Sequence, residues 1–382
     1  MGPSPLSGIV VVELGHSVAG PFAGQVLGDL GAEVVKIEKP GGDDARKWGP
    51  PFVDGAAATF QSVNRSKRSV VVDLRDEAQI AGLLRFIDER ADVVLQNMRP
   101  GQVDALGIGA QALRARKPSL VYCNLGAFGS GGPLADRPGY DPLMQAFGGI
   151  MSVVGEPGRP PVRVGPSVID VGAAMWAALG IVTALLHRRE TGEGATVDVS
   201  LFETAASWMT MYAAQYLASG ELPKKNGSGQ AGIVPYRAYR TADGDLVVAA
   251  GNDSLFRRLC QTIGELQWIE DPRFVDNPNR VRNADALYGL LERVFARRSN
   301  DEWIALLDAA GVPCAPVQDV AAMLRHPQTE ALGMLQSVPG SSIPLIGLPI
   351  RFDGERPRPR SAPPALGSSE LNSLLALHGD EA

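Results

Sequence analysis

The sequence predicts an α/β protein: a domain built on a mostly parallel sheet, followed by a smaller α+β domain. Three observations carry this. In the first half, short Val/Ile/Leu-rich runs alternate with stretches of helical periodicity. Those runs are nearly continuous in apolar residues, as befits strands covered on both faces. Beyond residue 221 the pattern changes to a hairpin signal followed by helices.

Taken in order, residues 8–14 read as the first strand, 21–30 as a helix and 32–38 as the second strand. Three further strands, at 69–74, 91–96 and 120–125, have helical segments between them. A long helix is expected over 171–189 and another over 201–218. The polar stretch 221–229, ELPKKNGSG, reads as a linker. Strands at 234–241 and 246–250 flank Ala242-Asp-Gly-Asp245, whose Asp-Gly pair is a hairpin signal. Helices at 254–263, 284–297 and 301–310 complete the smaller domain. The expected domains are 1–220, completed by 325–382, and 221–324.

Composition narrows the function. A chain of 382 residues buries a sizeable core, and 45% hydrophobic with 20% charged residues is ordinary for a soluble protein. The net charge of −6 argues against a nucleic-acid partner, since phosphate recognition draws on a basic surplus. Residues 1–8 lack the basic region of a secretory signal. The longest uncharged stretch, 171–186, falls short of the ~20 residues that span a bilayer, so a buried helix and no membrane partner are expected. Cys123, Cys260 and Cys314 are isolated, odd in number and free of CxxC spacing. That fits a reducing cytoplasm and excludes a disulfide framework or a thiolate zinc site. His16, His187, His326 and His378 are scattered with no HExxH spacing, so no metal site is expected. Neither a GxSxG elbow nor a Walker motif is present.

Residues 8–38 could open a dinucleotide-binding βαβ unit. The turn Gly15-His-Ser-Val-Ala-Gly20, however, lacks the GxGxxG spacing that lets backbone approach a pyrophosphate. The one GxGxxG match, Gly227 to Gly232, follows a polar Lys-Lys-Asn stretch instead of a strand. What remains is local basicity and carboxylates. Between Lys36 and Arg75 there are eight Lys/Arg against five Asp/Glu, although the whole chain is acidic. Such a cluster suits either a bound polyphosphate or a solvated face.

Asp170 stands directly before the small, apolar run Val171-Gly-Ala-Ala-Met-Trp-Ala-Ala-Leu. As N-cap it would accept helix N–H bonds and feel the positive end of the helix dipole, staying ionised as a carboxylate nucleophile must. By position alone a plain cap is the commoner role, and Asp141 before Pro142 reads the same way.

These residues belong to a larger pattern. Ala19-Gly-Pro-Phe22, Leu30-Gly-Ala-Glu-Val-Val-Lys-Ile-Glu38, Gly42-Asp-Asp-Ala-Arg46 and Asn64-Arg-Ser-Lys-Arg-Ser69 come first. Ala91-Asp-Val-Val94, Asn97 with Arg99-Pro-Gly101, Gly139-Tyr-Asp141, Asp170 and Thr191-Gly-Glu-Gly194 follow, with Val234-Pro-Tyr236 and Ala242-Asp-Gly244 beyond. In order and spacing the set resembles the class III CoA-transferases, which include formyl-CoA transferases, carnitine CoA-transferases and α-methylacyl-CoA racemases.

The resemblance implies a Rossmann-like large domain built from both ends of the chain, a small domain, and two chains interlocked as a homodimer. Coenzyme A or acyl-CoA enters as substrate, with no tightly bound cofactor implied. By analogy His16, Val18 and Ala19 lie beside CoA, and Lys39 meets the nucleotide phosphates. Leu74 and Arg75 line the adenine region, Asn97 and Met98 approach the pantetheine, and Arg137 makes another basic contact. One basic position of the pattern is Ala105 here, and the glycine-rich loop of formyl-CoA transferases is not evident.

The implied mechanism makes Asp170 the nucleophile, passing through an aspartyl anhydride and an aspartyl–CoA thioester in a cleft that excludes water. Racemases of the family have histidine where Tyr140, beside Asp141, stands here, so transfer is expected over racemisation; a CoA-binding sensor without chemistry is the non-enzymatic alternative. Trp48-Gly-Pro-Pro-Phe52 and Gly232-Ile-Val-Pro-Tyr236 look most like succinyl-CoA:dicarboxylate, glutarate-type transferases. A distal carboxylate would need a cation, and Arg46 and Arg237 are candidates.

Overall fold

A computed structural model describes residues 4–376; His378 lies outside them. The chain forms two compact units. One takes in the residues up to Gly149, Val164–Met211 and those from Pro327; the other takes Ile150–Arg163 and Tyr212–His326.

The first unit is built on six parallel strands: β1 (Val10–Leu14), β2 (Glu33–Glu38), β3 (Lys67–Val71), β4 (Val93–Gln96), β5 (Val121–Gly126) and β6 (Thr196–Ser200). Their order is β3-β2-β1-β4-β5-β6. The order reverses between β1 and β4, and an open α/β sheet binds ligands beyond the strand ends at such a switch point. Five strands match the expected runs with shifted ends. The third stops early because the chain turns at Asp73, whose carbonyl accepts from Asp76 N (2.9 Å). The sixth strand was not foreseen. It lies at the sheet edge with Thr196 and Asp198 exposed, so it lacks the apolar run of a central strand.

Among the helices of this unit are α1 (Ala19–Asp29), α2 (Glu77–Arg90), α3 (Asp141–Phe147), α4 (Val168–Thr191) and α5 (Leu201–Trp208). The core joins Val12, Val35 and Val94 of the sheet to Leu83, Phe86 and Ile87 of α2. Asp76 caps α2 by accepting from Ala78 N (2.9 Å). Small residues on α4 (Gly172, Ala173, Ala174, Ala177) are buried, and the helix packs on α1 and β5, with Gly172 facing Trp208 and Thr204 of α5. A Cβ at Gly180 would stand 2.6 Å from Val197 Cγ1, so the helix can approach the sheet edge only with glycine there. At 24 residues α4 is longer than the uncharged run and is long and apolar enough to cross a membrane; half of its most apolar window is buried within the protein. The helix expected over 201–218 breaks at Met209 into Leu201–Trp208 and Thr210–Ser219.

In the second unit the expected hairpin forms, β7 (Tyr236–Arg240) with β8 (Asp245–Ala249), and β9 (Cys314–Pro316) adds to its open edge. Helices α6 (Asp253–Ile263), α7 (Ala284–Phe295) and α8 (Asn300–Ala309) enclose a core that includes Tyr239, Leu246, Phe256, Phe295 and Trp303. Ile150–Arg163, expected in the large domain, belongs to this unit. Gly227 N donates to Gly155 O (3.0 Å), and Lys225 Nζ donates to Arg159 O (2.9 Å) and Pro160 O (3.0 Å).

Candidate active site

A cavity of about 430 Å³ opens beyond the carboxyl ends of the first unit's strands. It is lined after β1 by His16, Val18 and Ala19, after β2 by Lys39 and Asp43, and after β4 by Asn97, Met98 and Arg99. Leu74, Tyr140 and Asp170 line it too. The ends of β1 and β4 are tied at the switch point by a reciprocal pair: His16 N donates to Asn97 Oδ1 and Asn97 Nδ2 to His16 O, both at 2.9 Å. His16 Nδ1 lies 3.0 Å from Ser17 Oγ, and burial pushes this imidazole below its ordinary pKa, favouring the neutral ring.

Eight of the residues expected around CoA and its thioester therefore share one cavity with Asp170: His16, Val18, Ala19, Lys39, Leu74, Asn97, Met98 and Tyr140. Three do not line it. Arg75 is held at the surface by Asp73 (2.8 Å). Arg137 has its guanidinium carbon 6.0 Å from the Phe128 ring centre. Asp141 is buried behind the wall.

Asp170 and Asp141 differ from the caps the sequence suggested. Helix α4 begins at Val168, so Asp170 sits in its first turn with Ser167 as N-cap, and Ser167 makes no side-chain cap. The capping falls to Asp141, itself inside α3 after the N-cap Tyr140. Its Oδ2 accepts from Ile169 N (2.8 Å) and Asp170 N (3.3 Å), and its Oδ1 from Gln145 Nε2 (2.6 Å). Gln145 Oε1 in turn accepts from Val164 N (2.8 Å). One side chain on α3 thus fixes the start of the helix that carries Asp170.

Four carboxylates line the cavity: Glu38, Asp43, Asp44 and Asp170. Glu38 is bound by Arg46 (2.6 Å), Asp43 by Lys36 (3.0 Å) and Asp44 by Lys39 (2.7 Å). Asp170 alone meets no donor among the described residues. Burial, and secondarily the charge of Asp141, pushes it up to about 7. Burial thus works against the firmly ionised Asp170 that the helix position alone suggests. At neutral pH the group is poised between acid and carboxylate, and its ionised form is unsolvated enough to attack a bound carbonyl.

A pH profile tests this. Since kcat/KM reports the free enzyme, its acidic limb is expected near about 7, with activity falling as Asp170 gains its proton. Asp141→Asn retains an acceptor for Ile169 N but removes the neighbouring charge, and should move the limb to lower pH. An unmoved limb would mean that Asp141 contributes nothing to the shift.

The sequence reading left Asp43 and Arg99 unassigned as site residues, though both lie in motifs quoted for the resemblance. An ionisable residue inside an apolar strand, Glu13 in Val10-Val-Val-Glu-Leu14, was the available signal that charge is buried beneath this cavity.

Comparison with known proteins agrees with the geometry. The family described as CoA-transferase family III matches residues 6–370. An acetyl-CoA:oxalate CoA-transferase of Acetobacter aceti is 38% identical, across 95% of this chain and 93% of that protein. A succinate–glutarate CoA-transferase of Agrobacterium fabrum is 36% identical, across 98% and 96%. Among solved structures, a CAIB/BAIF family protein from Brucella suis superposes with a TM-score of 0.89 at 39% identity, covering 98% of this chain and all of that one. The chain belongs to CoA-transferase family III and is a CoA-transferase.

Proposed function

We propose that the protein moves CoA from succinyl-CoA to a C4–C6 dicarboxylate such as glutarate, with Asp170 as nucleophile. The observation that carries the reading is the unpaired Asp170 beside three cation-paired carboxylates in one cavity, its pKa raised by burial. Its carboxylate attacks the donor thioester carbonyl, giving a mixed anhydride and expelling CoA thiolate. The thiolate attacks the aspartyl carbonyl, forming an Asp170–CoA thioester and releasing the first acid. The acceptor carboxylate attacks that thioester, expelling thiolate again and forming a second anhydride. Attack of thiolate on the acceptor's acyl carbonyl yields the new acyl-CoA and restores Asp170. CoA would lie along His16–Ala19, Lys39, Leu74 and Asn97–Met98, with Arg75 and Arg137 reaching it only by leaving their present partners.

The dicarboxylate assignment draws on relatives named for oxalate and for succinate and glutarate. Neither Arg46 nor Arg237 stands free to meet a distal carboxylate. Arg46 is committed to Glu38 (2.6 Å) and Pro364 O (3.0 Å). Arg237 faces the Tyr288 ring at 4.9 Å and Glu292 at 3.6 Å. Arg99 lines the cavity and is the better candidate. An acceptor screen with succinyl-CoA, read by mass spectrometry of each new acyl-CoA, should favour dicarboxylates over acetate or formate by roughly 100-fold or more. A monocarboxylate that outperforms them overturns the substrate. Tyr140 stands where racemases of the family have histidine, so the same enzyme in deuterated water should leave a 2-methylacyl-CoA unlabelled at its α-carbon when no acceptor is present.

We further propose that the chain works as a homodimer in the cytoplasm. Met175, Trp176, Leu179 and Leu186 of α4, with Trp208 and Met211, are exposed large apolar side chains of the kind a partner subunit would cover. Light scattering at micromolar concentration should give twice the mass of one chain; a monomer overturns this. Free thiols at Cys123, Cys260 and Cys314 suit a reducing compartment.

A further inference from the structure

Beneath the cavity lies a charge cluster that the transfer steps do not use. Glu13, Lys36 and Lys67, on three adjacent strands, have side chains with no exposure, and the Asp43 side chain is 1% exposed. Lys36 Nζ pairs with Glu13 (3.0 Å) and Asp43 (3.0 Å); Lys67 Nζ pairs with the other oxygen of Glu13 (2.8 Å). Two cations thus balance two anions. So much buried charge is poor value for stability alone, because apolar residues of similar size would serve as well or better.

The cluster's outer end points to its use. Lys36 Nζ also donates to Gly15 O (2.6 Å). Asp43 Oδ1 accepts from Ser17 N (3.1 Å) and Ala45 N (3.0 Å), while its own backbone N donates to Glu38 (2.9 Å). Gly15, His16 and Ser17 form the cavity wall after β1. Ser17 is held at φ 67°, a left-handed conformation that costs a non-glycine residue about 1 kcal/mol or more. The wall therefore has a strained residue, Ser17, whose amide is tied to Asp43, two positions after Gly15, whose carbonyl is tied to Lys36.

We propose that Asp43, anchored by the buried Lys36–Glu13–Lys67 chain, is a positioning residue that holds the Gly15–Ser17 loop in the shape that receives CoA. This rests on the reading of the cavity as the acyl-CoA site. Both carboxylate oxygens of Asp43 are needed: one faces Lys36, the other accepts from Ser17. An asparagine has the same shape but a single acceptor oxygen, so it must surrender one tie or the other.

The test is CoA binding by calorimetry and steady-state kinetics for wild type, Asp43→Asn and Asp29→Asn. Asp29 pairs with Arg65 (2.7 Å) in an ion pair as deeply buried but away from the cavity. Asp43→Asn should raise Kd for CoA and KM for acyl-CoA about tenfold while kcat changes less. Asp29→Asn should lower the denaturation midpoint yet leave Kd and KM within about twofold. Equal shifts in the two variants, or none in Asp43→Asn, overturn the proposal. Wild-type protein that binds no CoA overturns the cavity's assignment and this proposal with it. Hydrogen exchange on CoA-free wild type keeps the idea testable if Asp43→Asn does not fold. The Ser17 amide should be protected roughly 100-fold or more relative to an open loop, and free exchange there would sink the tie.

Discussion

Asp170→Asn is expected to cut kcat/KM for CoA transfer by roughly 10⁴-fold or more while leaving the protein folded. The amide has no charge with which to attack a thioester carbonyl. Nothing else in the cavity substitutes for it, since Glu38, Asp43 and Asp44 are each held by a cation. Folding should survive because no donor depends on the Asp170 carboxylate, and the cap of α4 comes from Asp141. Stability should respond to pH with a definite sign. The folded pKa of Asp170 is raised from 3.8 to about 7, so the native state favours the protonated group. Its contribution is fully present below pH ~4 and is lost as pH rises through about 7. Above neutrality the wild type therefore carries a penalty of up to about 4 kcal/mol that the asparagine variant escapes. Denaturant unfolding at pH ~4 and pH ~9 should show the variant gaining on wild type almost entirely at the higher pH. Substantial turnover by freshly prepared, sequence-verified variant would remove Asp170 from the nucleophile's role. A variant less stable than wild type at high pH would show that the carboxylate has a partner after all.

Much of this site was legible in the sequence because parallel α/β sheets read strongly. Runs such as Val10–Leu14 and Glu33–Glu38 announce buried strands, and their carboxyl ends are where ligands collect. His16 and Asn97 follow β1 and β4 directly, so their meeting at the switch point follows from strand order. Less legible was anything decided by contacts between distant segments. Thr196–Ser200 is a strand because it pairs with β5, not because its own pattern demands it. The state of Asp170 depends on burial and on Asp141, 29 positions away, and so reversed the inference drawn from the helix dipole alone. Arg46, a candidate cation by sequence, is bound instead, because Glu38 and the carbonyl of Pro364 converge on it from both ends of the chain.

Gly24→Ala should destabilise the protein by roughly 3 kcal/mol, although alanine is the better helix former by about 1 kcal/mol. Gly24 lies on α1 where the helix crosses over Glu13. A Cβ there would stand 1.9 Å from Glu13 Oε2 and 3.0 Å from its Cδ. Glu13 cannot step aside, because each of its oxygens is held by a buried lysine (Lys36 at 3.0 Å, Lys67 at 2.8 Å). Lys67 is fixed in turn by Pro21 O (2.7 Å), Val63 O (3.1 Å) and Asn64 Oδ1 (2.9 Å). The variant must either push α1 away from the sheet or break one ion pair, and a buried charge stripped of its partner costs ~3–5 kcal/mol. Gly82 in α2 is the matched control: a Cβ there meets nothing within 4 Å, so Gly82→Ala should gain about 0.5–1 kcal/mol. Urea midpoints moving in opposite directions for two helical Gly→Ala changes would locate the difference in the Glu13 cluster. A Gly24→Ala protein as stable as wild type would mean that Glu13 has room to move, and that the lysines beneath the cavity are less rigidly placed than their distances imply.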